Sequence, residues 1–135
     1  MMKAYPGRAL PADQTATIET GAYTQIEKCD GLKITSLKVA VLPGEHVIEM
    51  TPAEQGQPQR GYLFYSSVTG SACFTAEAGQ AYLVYVDFVA ASAPVTEGGS
   101  GYEWIGYVQD RSSGKMIADT GRLPLKAQPV MPSSR

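Results

Sequence analysis

The chain has 135 residues, 44% of them hydrophobic and 18% charged, with a formal net charge of −2. That length fits one domain with its own hydrophobic core, and the composition is globular rather than disordered. With a pI near 5.3 and no cluster of Lys or Arg, the chain offers nothing to a polyanion, which excludes nucleic acid and an electrostatically held membrane surface as expected partners.

The opening Met1-Met2-Lys3-Ala4-Tyr5-Pro6-Gly7 has no apolar centre, so it does not read as a signal peptide. A cytosolic chain and the mature part of an exported one both remain open. Residues 1–13 read as a linker or extended arm. From residue 14 onward nearly every patterned stretch has period two. Leu37, Val39 and Val41 alternate with Lys38 and Ala40; His46, Ile48 and Met50 with Glu45, Val47 and Glu49; Tyr82, Val84, Val86 and Phe88 with Leu83, Tyr85 and Asp87. Such alternation puts one set of side chains on a core face, and the β-branched and aromatic content suits a pleated surface. The pattern predicts strands at 14–20, 23–29, 33–42, 45–51, 62–67, 71–76, 81–90, 102–110 and 115–119. Asp30-Gly31, Pro43-Gly44, Ala78-Gly79 and Ser113-Gly114 supply the turns between them.

Short strands at this spacing predict an all-β fold, a single antiparallel β-sandwich over residues 14–125 of the immunoglobulin-like or transthyretin-like kind. Two irregular segments interrupt it, Thr51 to Gly61 and Ser92 to Gly101. Residues 126–135, with Pro129 and Pro132, read as a flexible tail. The longest apolar run, Tyr82 to Ala91, is broken by Asp87 and falls well short of the roughly 20 residues a membrane helix needs.

Few residues carry a chemical signal. His46 is the only histidine and sits in phase with Ile48 and Met50, so it reads as a packed residue bracing its turn; no metal and no cofactor are expected. Glu45, Glu49, Asp87, Glu103 and Asp110 are the acids a glycosidase pair would draw on, but nothing in the pattern makes any two converge. Tyr102, Trp104 and Tyr107, beside Tyr82 and Tyr85, are read either as a stacking platform or as core. Trp104, the single tryptophan, fits core better. Gly98-Gly99-Ser100-Gly101 lacks the Lys-Ser/Thr end and the helix of a phosphate-binding loop. It is instead a candidate contact loop, with Gly98, Gly99, Ser100, Gly101, Tyr102 and Trp104 as the interacting residues. Cys29 and Cys73 match no zinc or redox spacing. They are either two reduced thiols or one disulfide.

The stretch from Asp30-Gly31 through Val41-Leu42-Pro43-Gly44-Glu45-His46-Val47-Ile48-Glu49-Met50 resembles the strand–turn–strand core of PEGA-like modules, small β-sandwich domains of bacterial envelope proteins. There Pro43 presets one backbone angle, Gly44 takes a positive one, and the next strand is expected to return antiparallel. A broader set of motifs is similar to small lipoproteins of Gram-negative bacteria. It comprises Tyr5-Pro6-Gly7 with Leu10 to Ile18, the Leu42 to His46 turn, the segment Phe74 to Gly79, and the Asp110 to Lys115 turn. These resemblances imply an exported domain of the periplasm or outer membrane, lipid-anchored in the full-length protein through a residue outside this chain. They imply no reaction, and a partner that is an envelope protein or glycan. They also favour the Cys29–Cys73 disulfide, because such compartments are oxidising. The expected function is a non-enzymatic structural or interaction module. The alternatives are a periplasmic binder or inhibitor that presents a loop, and a small hydrolase.

Overall fold

The structure is a computed structural model that describes residues 1–53, 62–91 and 99–129. Among these residues the chain is all-β: twelve strands, one turn of 3-10 helix at Ala12–Gln14, and no α-helix. The strands are β1 (Met2–Lys3), β2 (Ala16–Thr20), β3 (Thr24–Cys29), β4 (Leu32–Lys33), β5 (Lys38–Val41), β6 (Gly44–Pro52), β7 (Tyr62–Tyr65), β8 (Gly70–Ala76), β9 (Ala81–Ala90), β10 (Gly99–Asp110), β11 (Met116–Asp119) and β12 (Leu123–Pro129). They form two sheets. The first runs β1-β5-β2-β9-β10-β12-β7, with β11 also on β10; the second runs β4-β3-β6-β8.

The alternation of the sequence is the alternation of burial. Ile18, Val39, Val41, Tyr82, Val84, Trp104 and Val108 of the first sheet share one core with Ile26, Cys29, Ile48, Met50, Ala72 and Phe74 of the second. Trp104, Ile18, Ile48, Met50 and Val84 are fully buried, each contributing on the order of 1.5–3 kcal/mol or more by leaving water. Two glycines set the spacing of this core. A Cβ on Gly106 would lie 2.3 Å from Met50 Sδ, and one on Gly70 would lie 2.8 Å from Trp104 Cη2. The large side chain therefore occupies the space that each glycine leaves.

Several expectations are corrected. The predicted strand 33–42 is two strands. β4 belongs to the second sheet and β5 to the first, so residues 34–37 carry the chain from one sheet to the other. The Pro43-Gly44 turn does not close a hairpin. β5 pairs with β1 and β2, while β6 pairs with β3 and β8, so this turn takes the chain back to the second sheet. Gly44 has the positive φ expected of it, 125°. The sheets are not wholly antiparallel, since β1 runs parallel to β5 and β2 parallel to β9. The N-terminal arm is docked in part through Met2↔Val39 and Lys3↔Ala40. The start of the predicted tail is strand as well, with Lys126 to Pro129 paired to β7. Of the two irregular segments, Thr51 and Pro52 end β6, while 54–61 and 92–98 lie outside the described residues.

Candidate functional site

The chemistry-bearing residues gather where the β3–β4 hairpin meets the start of β6, and a bulge aims them. β3 begins with Thr24 and Ile26 buried, so strict alternation would turn Lys28 inward and Cys29 outward. The register against β6 shifts between Ile26 and Lys28, where Ile26 faces Met50 and Lys28 faces Glu49. One extra residue on a strand reverses the phase of everything after it. Lys28 is therefore exposed, and Cys29 is only 2% exposed. Cys29 pairs with Leu32, leaving Asp30-Gly31 as a two-residue turn with φ of 52° and 84°. Both angles are positive, as the hairpin turn matched to strand twist requires, and Asp tolerates that region better than most residues.

This turn places the Asp30 carboxylate over β6. Asp30 N–H donates to the Val47 carbonyl at 2.9 Å, and Val47 N–H donates to Asp30 Oδ1 at 2.7 Å. Asp30 Oδ2 lies 2.6 Å from His46 Nδ1, and the Cys29 thiol points to the same oxygen at 3.8 Å. His46 Nε2 lies 2.6 Å from the Leu42 carbonyl. A carbonyl only accepts, so Nε2 carries the hydrogen and Nδ1 meets Asp30. His46 is buried, and its ring lies 6.2 Å from that of Phe74, which stands 5.0 Å from Tyr82. The expectation that His46 is packed and bonds its turn holds through Leu42; what the sequence did not reveal is its partner across the sheet.

Electrostatics follow from the same contacts. Burial works against ionisation of Asp30, but the Val47 N–H and the His46 ring outweigh it and hold the carboxyl below its ordinary value. Burial first, and then the Asp30 charge, push the Cys29 thiol up to about 12. The thiol points to the Asp30 carboxylate. Among the described residues, Cys29, Asp30 and His46 form a group of acid, thiol and imidazole whose ligand atoms lie within 4.8 Å of one another.

The other predicted residues disperse. Cys29 and Cys73 are both free, and the disulfide is ruled out by their placement. β6 lies between their strands, Cys29 opposite Ile48 and Cys73 opposite Val47. Cys29 points into the core and Cys73 away from it, a geometry no bridge spans. Glu45 and Glu49 stand on β6, in the sheet opposite Asp87, Glu103 and Asp110. Glu103 pairs with Arg122 at 3.1 Å. The Ser112 hydroxyl and N–H hold the Asp110 carboxyl below its ordinary value. Of the candidate contact loop, Gly98 lies outside the described residues, and Gly99, Ser100, Gly101 and Tyr102 belong to β10. Trp104 is wholly buried and donates its Nε1–H to Ser66 Oγ at 2.9 Å, so it is core and not a binding rim.

The aromatic group is thus divided. Tyr82 and Trp104 face inward, while Tyr85 and Tyr107 sit opposite each other on the outward face of β9 and β10, their rings 5.5 Å apart. Leu83 and Ile105 share this face by alternation, and Tyr85 Oη donates to Met116 Sδ at 3.3 Å. Parity along two neighbouring strands carried that signal, once β9 and β10 were known to be paired. A comparison of the chain with protein-family models, curated proteins and solved structures finds no match to any of them.

Proposed function

We propose that this chain is a non-enzymatic β-sandwich module, immunoglobulin-like or transthyretin-like in kind, that contacts an envelope protein or glycan as part of a lipid-anchored protein of the bacterial periplasm or outer membrane. The observation that carries the interaction role is the outward face of the first sheet. Tyr85 and Tyr107 are half-buried there, with Leu83 and Ile105 beside them and Met116, 47% exposed, reaching across. Aromatic side chains fixed on a sheet give large contact area and lose little freedom on binding. The ion pairs Arg111–Glu19 and Arg122–Glu103 lie at the margins of this face, in the way a polar rim surrounds an apolar centre. This face takes the place of the loop that the sequence suggested. The non-enzymatic part rests on the resemblance, which implies no reaction. The envelope address rests on the resemblance of the segments between Tyr5 and Ile117.

The test is capture from envelope extract by the wild type, by a Tyr85→Lys/Tyr107→Lys variant, and by Thr75→Lys on the opposite sheet. The reading expects one set of partners bound by the wild type and Thr75→Lys and lost by the tyrosine variant, with thermal midpoints close to that of the wild type. Partners retained by a folded tyrosine variant would overturn the contact face. Labelling cells that express the full-length protein with a tagged fatty acid checks the anchor, and an unlabelled protein would remove it.

A further inference from the structure

We infer that Cys29, Asp30 and His46 form a three-ligand site for a zinc-class divalent cation. The inference goes beyond the interaction role proposed above, and it departs from the expectation that His46 only braces a turn. Convergence is the first ground: Cys29 Sγ, an Asp30 oxygen and a His46 ring nitrogen lie within 4.8 Å of one another, supplied by two different strands and a turn.

The second ground is that two of the ligands are tethered by the backbone through the atom that does not ligate. His46 Nε2–H donates to the Leu42 carbonyl, which fixes the ring and presents Nδ1 inward. Metal-ligating histidines are held in this way. Asp30 Oδ1 accepts the Val47 N–H, which leaves Oδ2 pointing at Nδ1 and Sγ. The third ligand, Cys29, is aimed by the bulge in β3. The third ground is the donor set. One sulfur, one imidazole nitrogen and one carboxylate oxygen suit a borderline-soft ion and not calcium or magnesium, which take oxygen alone.

The fit needs the imidazole–carboxylate pair to open and Sγ to close on the ring nitrogen, which lie within 4.8 Å of each other against about 3.5 Å around a tetrahedral zinc. Around a tetrahedral zinc the S···O separation is about 3.5 Å and the N···O separation about 3.3 Å. Sγ and Oδ2 stand at 3.8 Å, and Nδ1 and Oδ2 at 2.6 Å, so the imidazole–carboxylate pair opens by about 0.7 Å. The entering ion displaces the thiol proton, which leaves to solvent together with any proton held between Nδ1 and Oδ2. Thiolate and carboxylate then balance the charge of the dication. The Asp30 side chain is 45% exposed, which opens the fourth position to water or to a donor from outside the chain.

The experiment uses the full chain, freed of metal by a chelator and titrated with zinc sulfate against a chromogenic competitor. In parallel it is titrated with cobalt chloride and followed by absorption. We expect one ion per chain, release of at least the thiol proton on binding, and a thiolate-to-cobalt charge-transfer band. Cys29→Ser and His46→Gln should each weaken zinc binding by about 100-fold or more, beyond the roughly 10–100-fold cost of losing an outer partner. Cys73→Ser should bind as the wild type does, which separates this site from the exposed thiol. If the ligand variants fail to fold, the cobalt spectrum of Cys73→Ser decides alone, since its only sulfur nucleophile is Cys29. No saturable binding near one equivalent, or a cobalt complex of Cys73→Ser without the thiolate band, overturns the inference.

Discussion

Replacing Gly70 by alanine tests whether the two sheets close on Trp104 as described. Gly70 opens β8, and a Cβ there would lie 2.8 Å from Trp104 Cη2, 2.8 Å from Leu123 Cδ1 and 2.9 Å from Thr120 Cγ2. Leu123 is only partly buried and has room to rotate, whereas Thr120 is held through its Oγ1, which accepts the Gly106 N–H and donates to the Gly121 carbonyl. Trp104 has no room to move, because it is wholly buried and its Nε1–H is held by Ser66. Overpacking of this kind costs about 1–3 kcal/mol. The φ of Gly70 is not positive, so alanine brings no backbone strain and recovers about 0.4–1 kcal/mol from the unfolded state. The expected net is a destabilisation of about 1–2 kcal/mol. Urea unfolding followed by tryptophan fluorescence measures it, with the single Trp104 as the reporter. A Gly70→Ala protein as stable as the wild type, with unchanged emission, would refute the packing around Trp104.

Thiol titration should find two free thiols in unfolded, unreduced protein. In the folded protein Cys73 should react promptly and buried Cys29 only on the unfolding timescale; fewer than two thiols after unfolding would contradict the placement of the cysteines on opposite faces. Gly44→Val should lower stability by about 1–3 kcal/mol in a urea midpoint assay. A Cβ at Gly44 meets nothing within 4 Å, so this cost is one of backbone angle alone, and a neutral substitution would contradict the φ of 125°.

Much of the fold was legible because burial follows alternation. β2, β3, β6, β8, β9, β10 and β11 all lie where period two placed them, and Asp30-Gly31 is the turn its composition announced. Alternation says nothing of which sheet a strand joins. The run from Lys33 to Leu42 therefore looked continuous although the chain changes sheets within it. β12 is not legible in the sequence because Pro124 and Pro129 lie inside it, and proline lowers the expectation of a strand. It is found on β10 and β7 all the same. The candidate site was hidden for a sharper reason. Cys73 could have been placed outward by its neighbours Ala72 and Phe74, but Cys29 depends on a bulge that only the pairing with β6 reveals. The alternation shows His46 bracing its turn, while Asp30, sixteen residues before it, reads only as a turn residue.

The central claim about the site is that Asp30 ties the β3–β4 turn to β6 through His46, and a double-mutant cycle on Asp30→Gly and His46→Ala in chelator tests it most directly. Glycine keeps the positive φ of residue 30 without steric strain, and its added chain entropy enters both arms of the cycle and cancels, so the cycle isolates the side-chain contact. A hydrogen bond to a charged group nets about 1.5–3 kcal/mol, and the half-exposed carboxylate brings this down to about 1 kcal/mol. The account predicts a coupling energy of about 1 kcal/mol or more between the two positions. Additive effects, with coupling below about 0.3 kcal/mol, would contradict it.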